Sequence, residues 1–218
     1  SQSNYFRSGV EKINGEYQGW CIDFLRGLES GPVKMSFDSQ GRLWSAQVGR
    51  GWFSKGGKRT AIQYVEWDKK TTPFAIHSAS LTKTGFSVRF TERIGKKMTP
   101  KVSSWGYHYY STYGSPPVDQ QELKVSNYQL SKDRKTVTFD VPLSKKKIYA
   151  ITFTEQRNTE AEMLDFDTIY YTLNQTRPVR EPRPGRNVGW SLAGSSWNRN
   201  DKNRPLPPVV APLSADKC

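Results

Sequence analysis

Histidine and cysteine are almost missing from this chain. In 218 residues there are two of each, His77 and His108, Cys21 and Cys218. Two cysteines far apart make neither a disulfide framework nor a zinc site. Two histidines leave little room for a histidine-based redox or hydrolytic centre. No serine stands in a Gly-x-Ser-x-Gly elbow, so the nucleophile geometry of α/β-hydrolases has no support. No stretch approaches the ~20 apolar residues that cross a bilayer as a helix. Hydrophobic residues make up only 35% of the chain, below the usual globular share.

Aromatic and β-forming residues are present instead. Aromatics reach 13%, with seven Trp, eleven Tyr and ten Phe. Such a composition favours pleated, half-buried surfaces. The net charge is +13. Eleven basic residues stand against seven acidic ones in 1–73, fourteen against ten in 74–174, and eight against three in 175–218. A charge spread this evenly reads first as a solvated face, ahead of attraction to nucleic acid or to an acidic glycan.

Alternating apolar residues and turn residues predict an all-β fold. Val33–Phe37, Arg42–Val48 and Thr60–Trp67 read as strands. The Asp38-Ser39-Gln40-Gly41 turn and the Gly49-Arg50-Gly51 break punctuate them, as in a hairpin of a propeller blade. Lys69-Lys70-Thr71-Thr72-Pro73 reads as a link. Beyond it, Ala75–Leu81, Phe86–Thr91, Trp105–Thr112, Leu123–Leu130, Thr136–Val141, Ile148–Phe153 and Thr168–Leu173 give seven strands in about 100 residues, the count of an immunoglobulin-like sandwich. Thr159–Leu164 is the one predicted helical turn. After Asn174, seven of the thirteen prolines occur, with Arg177, Arg180, Arg183 and Arg186 between them. Proline fixes φ and removes donors, so an extended tail is expected. The expected organisation is a partial propeller segment at 1–68, a link at 69–73, a sandwich at 74–174 and an extended basic tail at 175–218.

Few residues point to chemistry. Glu160, Glu162, Asp165 and Asp167 cluster on one stretch, where two glycosidase carboxylates would need to face each other across a cleft; a solvated acidic loop is the expectation. Both histidines are expected in structural roles. Arg50, Trp52 and Lys58, with Lys55 and Arg59, form a basic aromatic loop suited to a carboxylate, a quinone cofactor or a sugar ring. Tyr107 and Tyr109, on the predicted aromatic strand, are candidates for stacking on carbohydrate. The tail residues Arg177, Arg180, Arg183, Arg186, Trp190 and Trp197 are candidates for docking on a partner. No catalytic residue and no metal ligand is assigned.

Three stretches together resemble a known family. They are Asn14-Gly15-Glu16-Tyr17-Gln18-Gly19 with Ser30-Gly31-Pro32 and Gly49-Arg50-Gly51-Trp52; Thr72-Pro73-Phe74-Ala75-Ile76-His77 with Gly85–Thr91; and Tyr109–Pro116 with Tyr170-Tyr171-Thr172-Leu173-Asn174. This pattern resembles the C-terminal part of glucose/sorbosone dehydrogenase-like secreted bacterial proteins, quinoproteins or haem-binding "membrane-bound dehydrogenases". The resemblance covers about residues 13–174. It implies a last propeller blade followed by an immunoglobulin-like sandwich, in the periplasm or outside the cell, with any export signal removed or carried elsewhere. It also implies that PQQ, Ca2+ or haem c belongs to the complete protein or to partner chains, with no cofactor on this chain. One blade cannot close a propeller. The expected role is therefore a non-catalytic subunit or C-terminal portion, docking on chains that complete the propeller and on a cytochrome c. A carbohydrate-binding module, and an enzyme active only once the propeller is completed, are the alternatives.

Overall fold

The computed structural model describes residues 3–49, 54–111 and 114–178. These residues hold thirteen strands and no helix, and they belong to one compact unit. The strands are β1 (Tyr5–Ile13), β2 (Glu16–Leu25), β3 (Pro32–Phe37), β4 (Leu43–Val48), β5 (Thr60–Val65), β6 (Ile76–Leu81), β7 (Gly85–Phe90), β8 (Lys101–Gly106), β9 (Val118–Leu123), β10 (Ser126–Leu130), β11 (Thr136–Asp140), β12 (Lys147–Thr152) and β13 (Thr168–Leu173). They form three antiparallel sheets: β1-β2-β13-β12-β8-β9, β10-β11-β7-β6 and β3-β4-β5. No closed barrel or propeller forms among the described residues.

The first two sheets share one core. Alternate residues of each strand point inward, which places Phe86, Val88 and Phe90 of β7 and Val137 and Phe139 of β11 against Tyr149 and Ile151 of β12 and Ile169, Tyr171 and Leu173 of β13. Every one of these is at most 1% exposed. The Phe86 ring lies 5.2 Å from Tyr149 and 5.1 Å from Tyr171 in tilted pairs, a geometry aromatic quadrupoles favour.

The opening 68 residues do not build one sheet. Asn14 (φ 50°) and Gly15 (φ 86°) both take positive φ, the backbone of a tight hairpin turn, and they join β1 to β2 in continuous register from Phe6↔Asp23 to Ile13↔Glu16. β2 then pairs with β13 through Gly19↔Thr172 and Cys21↔Tyr170. The hairpin thus extends the large sheet, while β3–β5 forms a separate meander. Polar bonds seal the first arrangement. The Glu11 carboxylate accepts the Tyr171 hydroxyl at 2.5 Å, the Leu81 N–H at 2.8 Å and the Arg177 guanidinium at 2.6 Å. The Gln18 side-chain oxygen accepts the backbone N–H groups of Asn174 and Gln175. At the head of the 69–73 stretch the Asp68 carboxylate accepts the N–H groups of Lys70 and Thr71 and bends the chain. Thr159–Leu164 is no helix; Asn158 Oδ1 accepts the N–H groups of Glu160 and Glu162 and organises a loop there, the competition with helix that asparagine offers.

Three tyrosines make stability pH-dependent. Burial pushes the Tyr128 hydroxyl up to about 12. Burial, and then the bond to the Glu11 carboxylate, raises Tyr171, and burial raises Tyr149. A folded pKa above the unfolded one favours the folded state fully below the unfolded value, and that contribution is lost as pH rises through the folded value. The tyrosine contribution to the urea midpoint should therefore hold steady below about pH 10, the ordinary tyrosine value, and fall above it. Tyr171→Phe should flatten that alkaline slope, and an unchanged slope in this variant would contradict the assignment.

Candidate functional site

The β3-β4-β5 meander begins with a turn held by one carboxylate. Asp38 accepts the N–H groups of Gln40 (2.9 Å) and Arg42 (3.0 Å), Arg42 Nε (2.6 Å) and the Trp44 indole N–H (2.8 Å). The Trp44 bond and then the Arg42 bonds hold its carboxyl well below the usual carboxylate range. Gly41 supplies the positive φ (82°) that closes the turn. The Arg42 guanidinium then lies 5.5 Å from the Trp44 ring and 5.2 Å from the Tyr64 ring. The two rings pair at 4.9 Å. This stack fixes β4 and β5 on one face of the sheet.

The middle of the other face is covered. Gln47 donates to Gln63 Oε1 at 2.9 Å, and those two amide oxygens accept the backbone N–H groups of Ser30 and Glu29. Gly56 closes over this segment, where a side chain would meet the Glu29 carbonyl at 2.2 Å. Ser45 and Gln47 are buried beneath it.

The rest of the sheet is open. Met35 (57% exposed) and Phe37 (71%) lie on β3 opposite Ser45 and Leu43, and Ile62 (74%) and the half-exposed Tyr64 lie on β5 beside Ala46 and Trp44. Both faces therefore carry large exposed apolar side chains. Among the described residues β3 and β5 each pair only with β4, which leaves two rows of backbone hydrogen-bonding groups as edges. The edges differ. β3 carries Pro32, Lys34 and a register break between them, devices that discourage strand addition. β5, Thr60-Ala61-Ile62-Gln63-Tyr64-Val65, has no charge, proline or glycine.

The residues singled out from sequence fall in several places. Arg50 and Trp52 lie outside the described residues, as do Arg180, Arg183, Arg186, Trp190 and Trp197. Lys58 is exposed and paired with Glu29, on the loop before β5. Tyr107 and Tyr109 follow β8, in a different sheet, so they do not join Lys58 in one site. The predicted aromatic strand Trp105–Thr112 is displaced: the strand is Lys101–Gly106, and 107–111 is loop. Ser115 Oγ accepts the His108 N–H at 2.8 Å and turns the chain back. Tyr109 is fully exposed, and the His108 and Tyr110 rings stack at 5.7 Å. Arg177 bonds within the chain, to Glu11 and the Leu81 carbonyl, with 43% of its side chain exposed. His77 is exposed and bonds to Ser78.

No family model, curated protein or solved structure matches the chain. Sequence reasoning missed Met35, Phe37, Ile62 and Tyr64. Their signal was present, since each sits in an alternating strand, but alternation says nothing about whether the apolar face is covered.

Proposed function

We propose that this chain is a non-catalytic assembly module of a secreted protein related to quinoprotein sugar dehydrogenases, with its β3-β4-β5 sheet completed by another polypeptide. One observation carries the reading: among the described residues, the three-stranded sheet has two unpaired edges and large exposed apolar side chains on both faces. Water is a poor partner for such side chains, and large apolar residues left exposed on both faces of one small sheet point to an interaction site. A propeller blade has four strands and packs both faces on its neighbours. The meander has three strands, an Asp-x-x-Gly turn and exposed apolar side chains on each face, one face being covered only at its middle, which fits a blade short of one strand. The two large sheets, joined through one core, fit the immunoglobulin-like sandwich of that family and serve as the rigid body that presents the blade.

PQQ, Ca2+ and haem c belong to the partner chains in this reading. Among the described residues no group of three or more His, Cys, Asp or Glu side chains could hold a metal ion. A second reading, a glycan-binding sandwich, draws on the exposed Tyr107, Tyr109 and Tyr110 loop. Amide hydrogen exchange, comparing the isolated chain with the chain in the assembly purified from its organism, separates the two. The assembly reading expects new protection in β3–β5. Glycan binding expects it in 107–111 on adding oligosaccharide, with β3–β5 unchanged.

A further inference from the structure

We propose that β5 pairs antiparallel with β5 of a second copy of this chain, about a twofold axis at Gln63, to make one continuous six-stranded sheet. The inference rests on the assembly reading in one respect, that the β3–β5 sheet is a docking element, and it names the occupant of one edge. The exposed side chains of Met35 and Phe37 on one face and Ile62 on the other stay available to neighbouring chains.

The edge itself is the first reason. β3 is blunted by Pro32 and Lys34, whereas six residues of β5 carry none of the features that discourage strand addition. An unprotected edge is a template for β-augmentation. Tyr64 is also held in place before any partner arrives, by its stack on Trp44 beneath Arg42, which lowers the ordering cost of binding.

Self-complementarity is the second reason. A twofold axis normal to the sheet keeps each face on its own side, so opposed residues must share a face. Ile62 and Tyr64 share one face, and Ala61, Gln63 and Val65 the other, as their β4 partners show. Centring the axis on Gln63 sets Ile62 against Tyr64 of the second copy, Ala61 against Val65, and Gln63 against Gln63. Apolar meets apolar throughout, and the Ile–Tyr pair is a favourable β-branched and aromatic cross-strand combination. Centring on Ile62 would instead oppose Ala61 to Gln63.

Charge is the third reason. The strand is preceded by Lys58 and Arg59 and followed by Glu66 and Asp68. Antiparallel pairing brings the basic end of each copy to the acidic end of the other, twice by symmetry. Opposite charges steer and set register in such an interface. A generic acidic partner would match only one end of the strand.

The test uses the full chain with Cys21→Ser and Cys218→Ser, so that the exposed Cys21 forms no unrelated link. Sedimentation velocity should show a concentration-dependent monomer–dimer equilibrium. Ile62→Lys, at a side chain 74% exposed and so without a folding role, should weaken it by roughly tenfold or more. Ile62→Cys combined with Tyr64→Cys should give a covalent dimer on mild oxidation, while neither single cysteine does. A single Ile62→Cys that links as well as the pair would overturn the Gln63 axis. A chain that stays monomeric, with an unlinked cysteine pair, would overturn the second copy. If β5 is then found protected by a different polypeptide in the native assembly, the assembly reading stands without the dimer; if β3–β5 is protected by nothing, both fall.

Discussion

Phe86→Ala is expected to destabilise the chain by about 3–5 kcal/mol, the range for deleting a buried phenyl ring. The ring is 0% exposed and stands where the two large sheets meet, against Phe139, Tyr149 and Tyr171. All three neighbours are themselves held in sheet register, so the void cannot close by local collapse. Domains of this size have only ~5–15 kcal/mol in hand, and the urea midpoint should fall by a large fraction. Phe37 gives the matching control. It is the same residue type, 71% exposed on β3, and Phe37→Ala in the isolated chain should stay within about 0.5 kcal/mol of the parent, as surface changes do. The contrast separates an apolar residue kept for the core from one kept for a partner. A Phe86→Ala loss below about 1 kcal/mol would mean that the two sheets do not share one core.

Glu11→Ala should cost about 2–4 kcal/mol. Its carboxylate accepts the Tyr171 hydroxyl, the Leu81 N–H and the Arg177 guanidinium. Stranding a buried donor costs ~1–3 kcal/mol, and two of the three donors are enclosed. Arg177 is 43% exposed along its side chain, so that ion pair adds little after solvent screening. Glu11→Gln keeps acceptor capacity and should cost less. Combined with Tyr171→Phe, Glu11→Ala should show clear non-additivity, because the two groups share a bond. A Glu11→Ala variant as stable as its parent would mean that the opening hairpin is not closed on β13.

The hairpin shows where sequence reasoning stopped. Asn14-Gly15 is a strong local turn signal, yet Gly9, Gly19 and the charges at Arg7, Glu11, Lys12 and Glu16 break the apolar alternation on either side. Its partner β13 lies about 150 residues downstream, beyond any local pattern. Grouping residues 1–68 into one segment followed from reading only neighbours. Where alternation was clean, as in β7, β11 and β13, strands and inward residues were legible. Tyrosine's β-propensity drew the predicted strand downstream to 105–112, while Ser115 and the adjoining prolines turn that stretch into loop. β9 was lost because Asp119, Gln120, Gln121 and Glu122 are almost all outward on an edge. The candidate site was the least legible part. Exposure of Met35, Phe37, Ile62 and Tyr64 depends on what covers the sheet, and no residue within the strand records that.

Hydrogen exchange of the β3 and β5 amides, free and in the native assembly, bears most directly on the whole account. In the isolated chain, diluted until it is monomeric, these amides should exchange much faster than those of β12, which lies inside the six-stranded sheet. In the assembly they should slow toward the β12 rate, while β12 itself does not change. Equal exchange of β3 and β5 in both states would contradict the claim that another polypeptide completes this sheet.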